Sequence, residues 1–113
     1  MATNFYTEFF VDRIEPHADS VRVIGRVYEG TIYLGQIFDT IYDNYGSYKS
    51  SEIVAPLRKN KQQVRLRVDK IEVYYQDTDL LESGTSGILY LSGPGTHSIK
   101  PQNILVMPMA LPA

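Results

Sequence analysis

The sequence predicts an all-β fold, a small antiparallel barrel of about seven strands. Three observations carry that prediction. Short apolar stretches separated by turn residues run through residues 9–107. None of them keeps the i, i+3, i+4 spacing of an amphipathic helix for three turns. Glycines, eight in 113 residues, recur between the stretches, where the chain must reverse. Barrel closure would also remove the open edges that a chain rich in β-branched residues must protect.

The first strand is expected over residues 9–14, closed by Pro16, Asp19 and Ser20. In the second, Val21, Val23, Gly25 and Val27 fall on one face and Arg22, Ile24, Arg26 and Tyr28 on the other, because strand side chains alternate. Apolar residues on both faces predict a central strand. Glu29-Gly30 supplies a turn, glycine taking positive φ without steric penalty. A third strand follows over 32–38, interrupted at Gly35.

From Asp39 to Gln63 the alternation fails. Tyr42, Tyr45, Gly46, Tyr48, several serines and a basic run ending at Lys61 predict a long surface excursion, with a short strand near 53–57. Loops of this length are uncommon in compact domains unless they are functional. Alternation resumes with Val64, Leu66 and Val68 opposite Arg65, Arg67 and Asp69, and then slips, because Ile71, Val73 and Tyr75 continue the apolar set. One extra residue near Asp69-Lys70, a β-bulge, accounts for the slip. Asp77, Asp79 and Glu82 form an acidic turn, residues 87–91 a strand ending at Ser92-Gly93-Pro94-Gly95, and 104–107 the last strand. The expected core is Val21, Val23, Val27, Val64, Leu66, Val68, Ile71, Val73, Ile88 and Leu89, with Tyr75 and Tyr90 joining it. The expected organisation is one domain over 1–107 with the excursion at 39–63, and a C-terminal tail over 108–113.

Composition narrows the function. The chain is 43% hydrophobic and 21% charged, with a formal charge of −2, no cysteine and no tryptophan. A domain of this size buries roughly two-thirds of its unfolded surface and needs no disulfide or metal staple. Zero cysteines exclude disulfides, thiolate zinc sites, iron–sulfur clusters and a cysteine nucleophile. A bridge-free chain suits the reducing cytoplasm, the expected location. The first twenty residues carry Glu8, Asp12, Glu15 and Asp19 and lack the basic start and apolar centre of a signal peptide. No apolar run reaches the roughly 18 residues of a membrane helix, so no membrane partner is expected.

Three blocks resemble one family. VRVIGRVYEGTIYLGQIF, residues 21–38, resembles the second-domain β-barrel of translational GTPases of the elongation factor Tu family: an apolar alternation, G-R-V, a turn glycine, an apolar pair, then a second glycine before a hydrophobic residue. In physical terms Gly30 makes the hairpin, Gly25 permits close backbone packing and Gly35 allows the next bend. VRLRVDKIEVYYQDTDLLESGTSGILYLSG, residues 64–93, is similar to the family's later half, and SIKPQNIL, residues 98–105, to its closing strand. Pro101-Gln102-Asn103 stands where that closing strand has a glycine. The resemblance implies the barrel fold and a macromolecular partner, which in the family is transfer RNA, ribosomal RNA or a neighbouring protein domain. It implies a barrel standing alone, because no G-x-x-x-x-G-K-[ST] phosphate loop occurs. No GTP binding and no cofactor are expected.

Catalytic and metal chemistry find little support. His17 and His97 are the only histidines and both fall in predicted turns, whereas metal sites recruit several convergent ligands. Asp77, Asp79 and Glu82 lack the twelve-residue spacing of a calcium loop. No G-x-S-x-G nucleophile elbow occurs. The expectation is a non-catalytic binding module, not an enzyme.

Two residue sets point to binding. Tyrosine is abundant, nine in the chain, and Tyr42, Tyr45, Tyr48 and Tyr74 are expected to be exposed. Tyrosine offers large contact area with few rotatable bonds, which suits a protein partner or a second copy of the chain. It is also a good strand former, so an all-β fold accounts for part of the enrichment. Arg58, Lys59, Lys61, Arg65, Arg67 and Lys70 crowd six of the eleven basic residues into thirteen positions, opposed there only by Asp69. With Arg26 they form the alternative: an RNA-contacting, translation-related module gripping phosphates beside stacking tyrosines. A solvated strand face explains the same charges, and a sequence pI near 5.6 argues against strong non-specific RNA binding.

Overall fold

Phe9, Val27, Ile41 and Leu105 face one another across four neighbouring strands, each almost fully buried. Their chain neighbours point outward, and this alternation builds the barrel. The structure is a computed structural model and describes residues 6–44, 48–49, 52–53 and 58–108. Its strands are β1 (Tyr6–His17), β2 (Ser20–Glu29), β3 (Ile32–Tyr33), β4 (Ile37–Asn44), β5 (Tyr48–Lys49), β6 (Glu52–Ile53), β7 (Arg58–Val73), β8 (Gln76–Thr78), β9 (Leu80–Leu81), β10 (Ser86–Ser92) and β11 (Asn103–Pro108). The neighbour order is β10-β2-β1-β11-β4-β7, closed by pairing of β7 with β10, and β8 attaches to β7 as an extra strand. Two short ribbons, β3 with β9 and β5 with β6, complete the sheets. The all-β barrel expected from the alternation is the observed fold.

The core gathers Val11, Val23, Phe38, Leu66, Val68, Ile71, Leu89 and Leu91 around the row above. Ile14, Val21, Val64 and Val73 are only partly buried and pack against its rim. Ile88 departs from expectation. It lies in the outward row with Ile24 and Glu72, while its neighbour Leu89 turns inward to pair with Val23 and Ile71.

Gly25 sits where β2 crosses closest to β1. A Cβ there would lie 2.0 Å from the Phe10 carbonyl oxygen and 2.8 Å from the Phe9 ring, so only glycine fits. Gly30, at φ 79°, makes the predicted turn after β2. The predicted bulge is present: Tyr90 pairs with Lys70 and Leu91 with Val68, leaving Asp69 as the extra residue. Gln102, at φ 73°, occupies the positive-φ position for which the resemblance led one to expect glycine.

Three segments are more ordered than their residues suggested. β1 continues through Pro16 to His17. Beyond Val11 its outer edge leaves β11, and a proline without an N–H is tolerated on such an edge. The acidic turn is two short strands, β8 and β9. The 39–63 segment enters and leaves as paired strand, β4 lying between β11 and β7. Its polar residues hid the strand because this part faces solvent or the barrel's polar end. There the Asp43 carboxylate accepts hydrogen bonds from Asn60 Nδ2 and Asn103 Nδ2, both at 2.9 Å, with Lys100 Nζ at 3.7 Å. Residues 54–57, within the expected short strand, and 109–113, within the expected tail, lie outside the described residues.

Candidate functional site

β7 places most of the candidate residues, because it runs 16 residues and changes neighbours on the way. Its first part pairs with β4, its later part with β10 and then β8. The result is a strand whose earlier part is basic and whose later part leads into an acidic turn.

Tyr42 and Tyr74 do not share a patch. Tyr42 is half-buried on the outer face of β4, across from Ile104, which in turn pairs with Phe10. Phe10 stacks on Tyr28 with ring centroids 4.8 Å apart. Tyr45 lies outside the described residues. Tyr48 belongs to β5, opposite Ile53, and its side chain is outside the described set. Tyr74 lies beyond the other end of β7. With Tyr75 it forms the two-residue turn into β8, spanning the Val73–Gln76 pair. The two tyrosines are 92% and 95% exposed, so Tyr75 is not a core residue. Both have positive φ, 51° and 65°, as a type I′ turn demands. Such turns favour Asn-Gly, which is why the alternation carried Tyr75 inward on paper while the chain turns it out.

The basic residues also separate. Arg65 and Arg67 line a cleft of about 250 Å³ with Ile37, Ser92, Gly93 and Pro94. Arg67 donates from Nε to Asp69 Oδ1 at 2.7 Å. Burial opposes ionisation of Asp69, but hydrogen bonds from Ser92 and Arg67 outweigh it and hold the carboxyl below its ordinary pKa. Lys59 and Lys61 are exposed further back along β7, and Arg58 starts the strand opposite Asn44, its side chain outside the described set. Arg26 stands apart. It pairs with Ser86 whereas Arg67 pairs with Ser92, a separation along β10 of roughly 20 Å. Lys70 belongs to another cluster, its Nζ lying 3.5 Å from Asp77 and 4.9 Å from the Tyr90 ring centre.

That cluster was not legible in the sequence. Tyr90, 9% exposed, faces outward from β10 and accepts a hydrogen bond from Arg22 Nε at 3.1 Å while donating to Glu72 Oε1 at 3.0 Å. Arg22 also pairs with Glu15, and the His17 ring meets Tyr90 edge-on at 5.1 Å. The hydrogen bonds with Tyr90 and then Glu15 raise the Arg22 pKa further. These groups satisfy one another, and the cross-strand spacing that unites them could be read only once strand order was known. His97 sits in the 3₁₀ turn Thr96–Ser98. Among the described residues no three His, Cys, Asp or Glu side chains converge on a metal position. No helix there is long and apolar enough to cross a membrane.

Charge sorts along the chain. Residues 58–70 hold six basic residues and one acid, while residues 71–99 contain no lysine or arginine but four acids, Glu72, Asp77, Asp79 and Glu82. The last three of these are at the surface.

The barrel is similar to part of translation elongation factor SelB from Methanococcus maripaludis. The apo structure of that protein superposes with a TM-score of 0.62 and 15% identity, over 93% of this chain and 20% of that one. Its complex with the GTP analogue GPPNHP gives 0.62 and 15% over 94% and 20%. The chain therefore spans about a fifth of the protein it resembles, and the likeness establishes a β-barrel fold of translation-factor type. No protein-family model and no curated protein sequence matches the chain.

Proposed function

We propose that the chain is a non-catalytic binding module that engages a protein partner through tyrosines, with the exposed Tyr74 central to the contact and Tyr42, Tyr45 and Tyr48 contributing to it. The observation that carries this reading is the Tyr74-Tyr75 turn. Two bulky residues at positive φ cost on the order of 1–3 kcal/mol each, and at 92% and 95% exposure they recover little of it by packing. Strain of that kind persists where a side chain is used for something outside the fold. A partner that covers both rings supplies the missing burial, and tyrosine is among the residues that dominate such contacts.

RNA is the second reading, and the cleft beside Arg65 and Arg67 is what favours it. The resemblance to a translation factor barrel points the same way. It is weaker because Arg26 and Lys70 lie away from the cleft and Arg67 is already bonded to Asp69. One experiment separates the two. A photoreactive phenylalanine at position 74, and in a second variant at position 61, is irradiated in an extract of the source cells. A cross-link from position 74 that survives nuclease and yields to protease is the expected result. A nuclease-sensitive product from position 61, with none from position 74, would overturn the protein reading in favour of RNA.

A further inference from the structure

We infer that the protein partner is a second copy of this chain, docked head to tail, the acidic tyrosine-tipped end of one copy meeting the basic open edge of β7 in the next. The inference rests on the protein-binding reading above and narrows it to one occupant.

Charge is the first support. Asp77, Asp79 and Glu82 follow directly on Tyr74 and Tyr75, with Lys70 on Asp77 as their basic neighbour. Lys61 and Arg65 are exposed on the earlier part of β7. The acidic turn follows the last residue of β7, and Lys61 lies about 40 Å of chain before that residue at roughly 3.3 Å per residue, on a strand that must bend to fit a barrel whose longest dimension is 36 Å.

Open strand edges are the second support. The barrel is closed, yet several edges lack a strand neighbour among the described residues, the outer side of β1 beyond Val11 among them, and two of these edges differ in charge: the outer side of β8, and the side of β7 facing away from β4 over residues 61–64, before β10 joins at Arg67. Lysine on an open edge ordinarily repels a further strand. An acidic edge is the partner such an edge does not repel, and β8 carries Asp77. The same chain thus presents one edge of each sign. Tyr74 and Tyr75 add apolar area beside the acidic edge, and their rings can lie over the Lys61 or Arg65 cation of the next copy. Because the two docking surfaces differ, the contact is heterologous and propagates into rings or filaments.

Sedimentation velocity on the purified full chain tests this with two pole variants. Asp77→Lys with Asp79→Lys makes both poles basic; Lys61→Glu with Arg65→Glu makes both acidic. All four sites are exposed, and unchanged far-ultraviolet circular dichroism confirms that the variants fold. The wild type is expected to form larger species at low salt as concentration rises, and to lose them at about 1 M salt, where the screening length is about 3 Å. Each variant alone is expected to stay monomeric, and an equimolar mixture of the two to associate again. A wild type that remains monomeric at low salt overturns the inference. So do variants that associate as the wild type does, or a mixture that stays monomeric. If the pure chain is monomeric while position 74 still cross-links to another protein in the extract, self-pairing alone falls and the protein-binding reading stands.

Discussion

Replacing Tyr74-Tyr75 by Asn-Gly should make the protein more stable. A left-handed conformation costs an L-residue roughly 1–2 kcal/mol, and both tyrosines have positive φ. Asn tolerates that region and Gly occupies it freely, but Gly gives back about 0.5–1 kcal/mol in unfolded-chain entropy. With the side chains 92% and 95% exposed, almost no packing is lost. The net gain is therefore about 1–3 kcal/mol. For 113 residues, about 2.1 cal/mol/K each gives an unfolding entropy near 240 cal/mol/K, so Tm should rise by about 4–12 °C in differential scanning calorimetry. Tyr74→Phe with Tyr75→Phe keeps the backbone problem and should leave Tm where it is. A Tm for the Asn-Gly variant equal to or below that of the wild type would refute the strain and, with it, the observation that supports a functional role for the turn. If that role is correct, the stabilised variant is also the one that loses its partner.

Three other perturbations follow from the packing. Gly25→Ala sets a methyl group against the Phe10 carbonyl at 2.0 Å, so soluble, cooperatively folding protein should be largely lost, as judged by circular dichroism melts. Asp43→Ala removes the acceptor for Asn60 and for the buried Asn103 amide, and should cost about 2–4 kcal/mol in urea titrations. Asp69 has a lowered folded-state pKa, so below the ordinary aspartate value of about 3.9 the unfolded chain holds this proton more tightly than the folded one. Its contribution is complete above that value and is lost as pH falls through the folded pKa, so Asp69→Asn should flatten the acid limb of a stability-against-pH curve.

Alternation along single strands carried most of the fold. Val23, Val27, Leu66 and Val68 are core residues because period-two patterning and burial coincide, and the slip after Val68 put the bulge near Asp69-Lys70 without any knowledge of neighbours. Ile88 was misplaced because Gly87-Ile88-Leu89 is apolar throughout, leaving no polar residue to fix the parity. The ordered parts of the 39–63 segment were missed for the opposite reason: Thr40, Tyr42 and Asp43 face outward or towards a polar barrel end, and their strand is held by β11, which arrives 60 residues later. The site was legible only as residue types. That Tyr74 and Tyr42 would part company, that Lys70 would join Asp77 and Tyr90, and that Arg26 would stand alone all depend on strand order, which no local spacing encodes.

The change of neighbours along β7 has a kinetic side. Its pairing with β4 closes a hairpin-like ribbon, but its seam with β10 forms only after the chain has passed through β8 and β9, and β10 must also find β2, some sixty residues earlier. Loop-closure entropy is spent on these distant encounters before they are rewarded, which places the chain among slow, non-local folders. The bulge at Asp69 sits on that seam, so a register error there would strand the ring half-shut, with β7 and β10 both exposed to other chains. Correct closure on the ribosome therefore waits for β10 and then for β11, which joins β1 to β4, and until β10 emerges the later part of β7 lacks its neighbour.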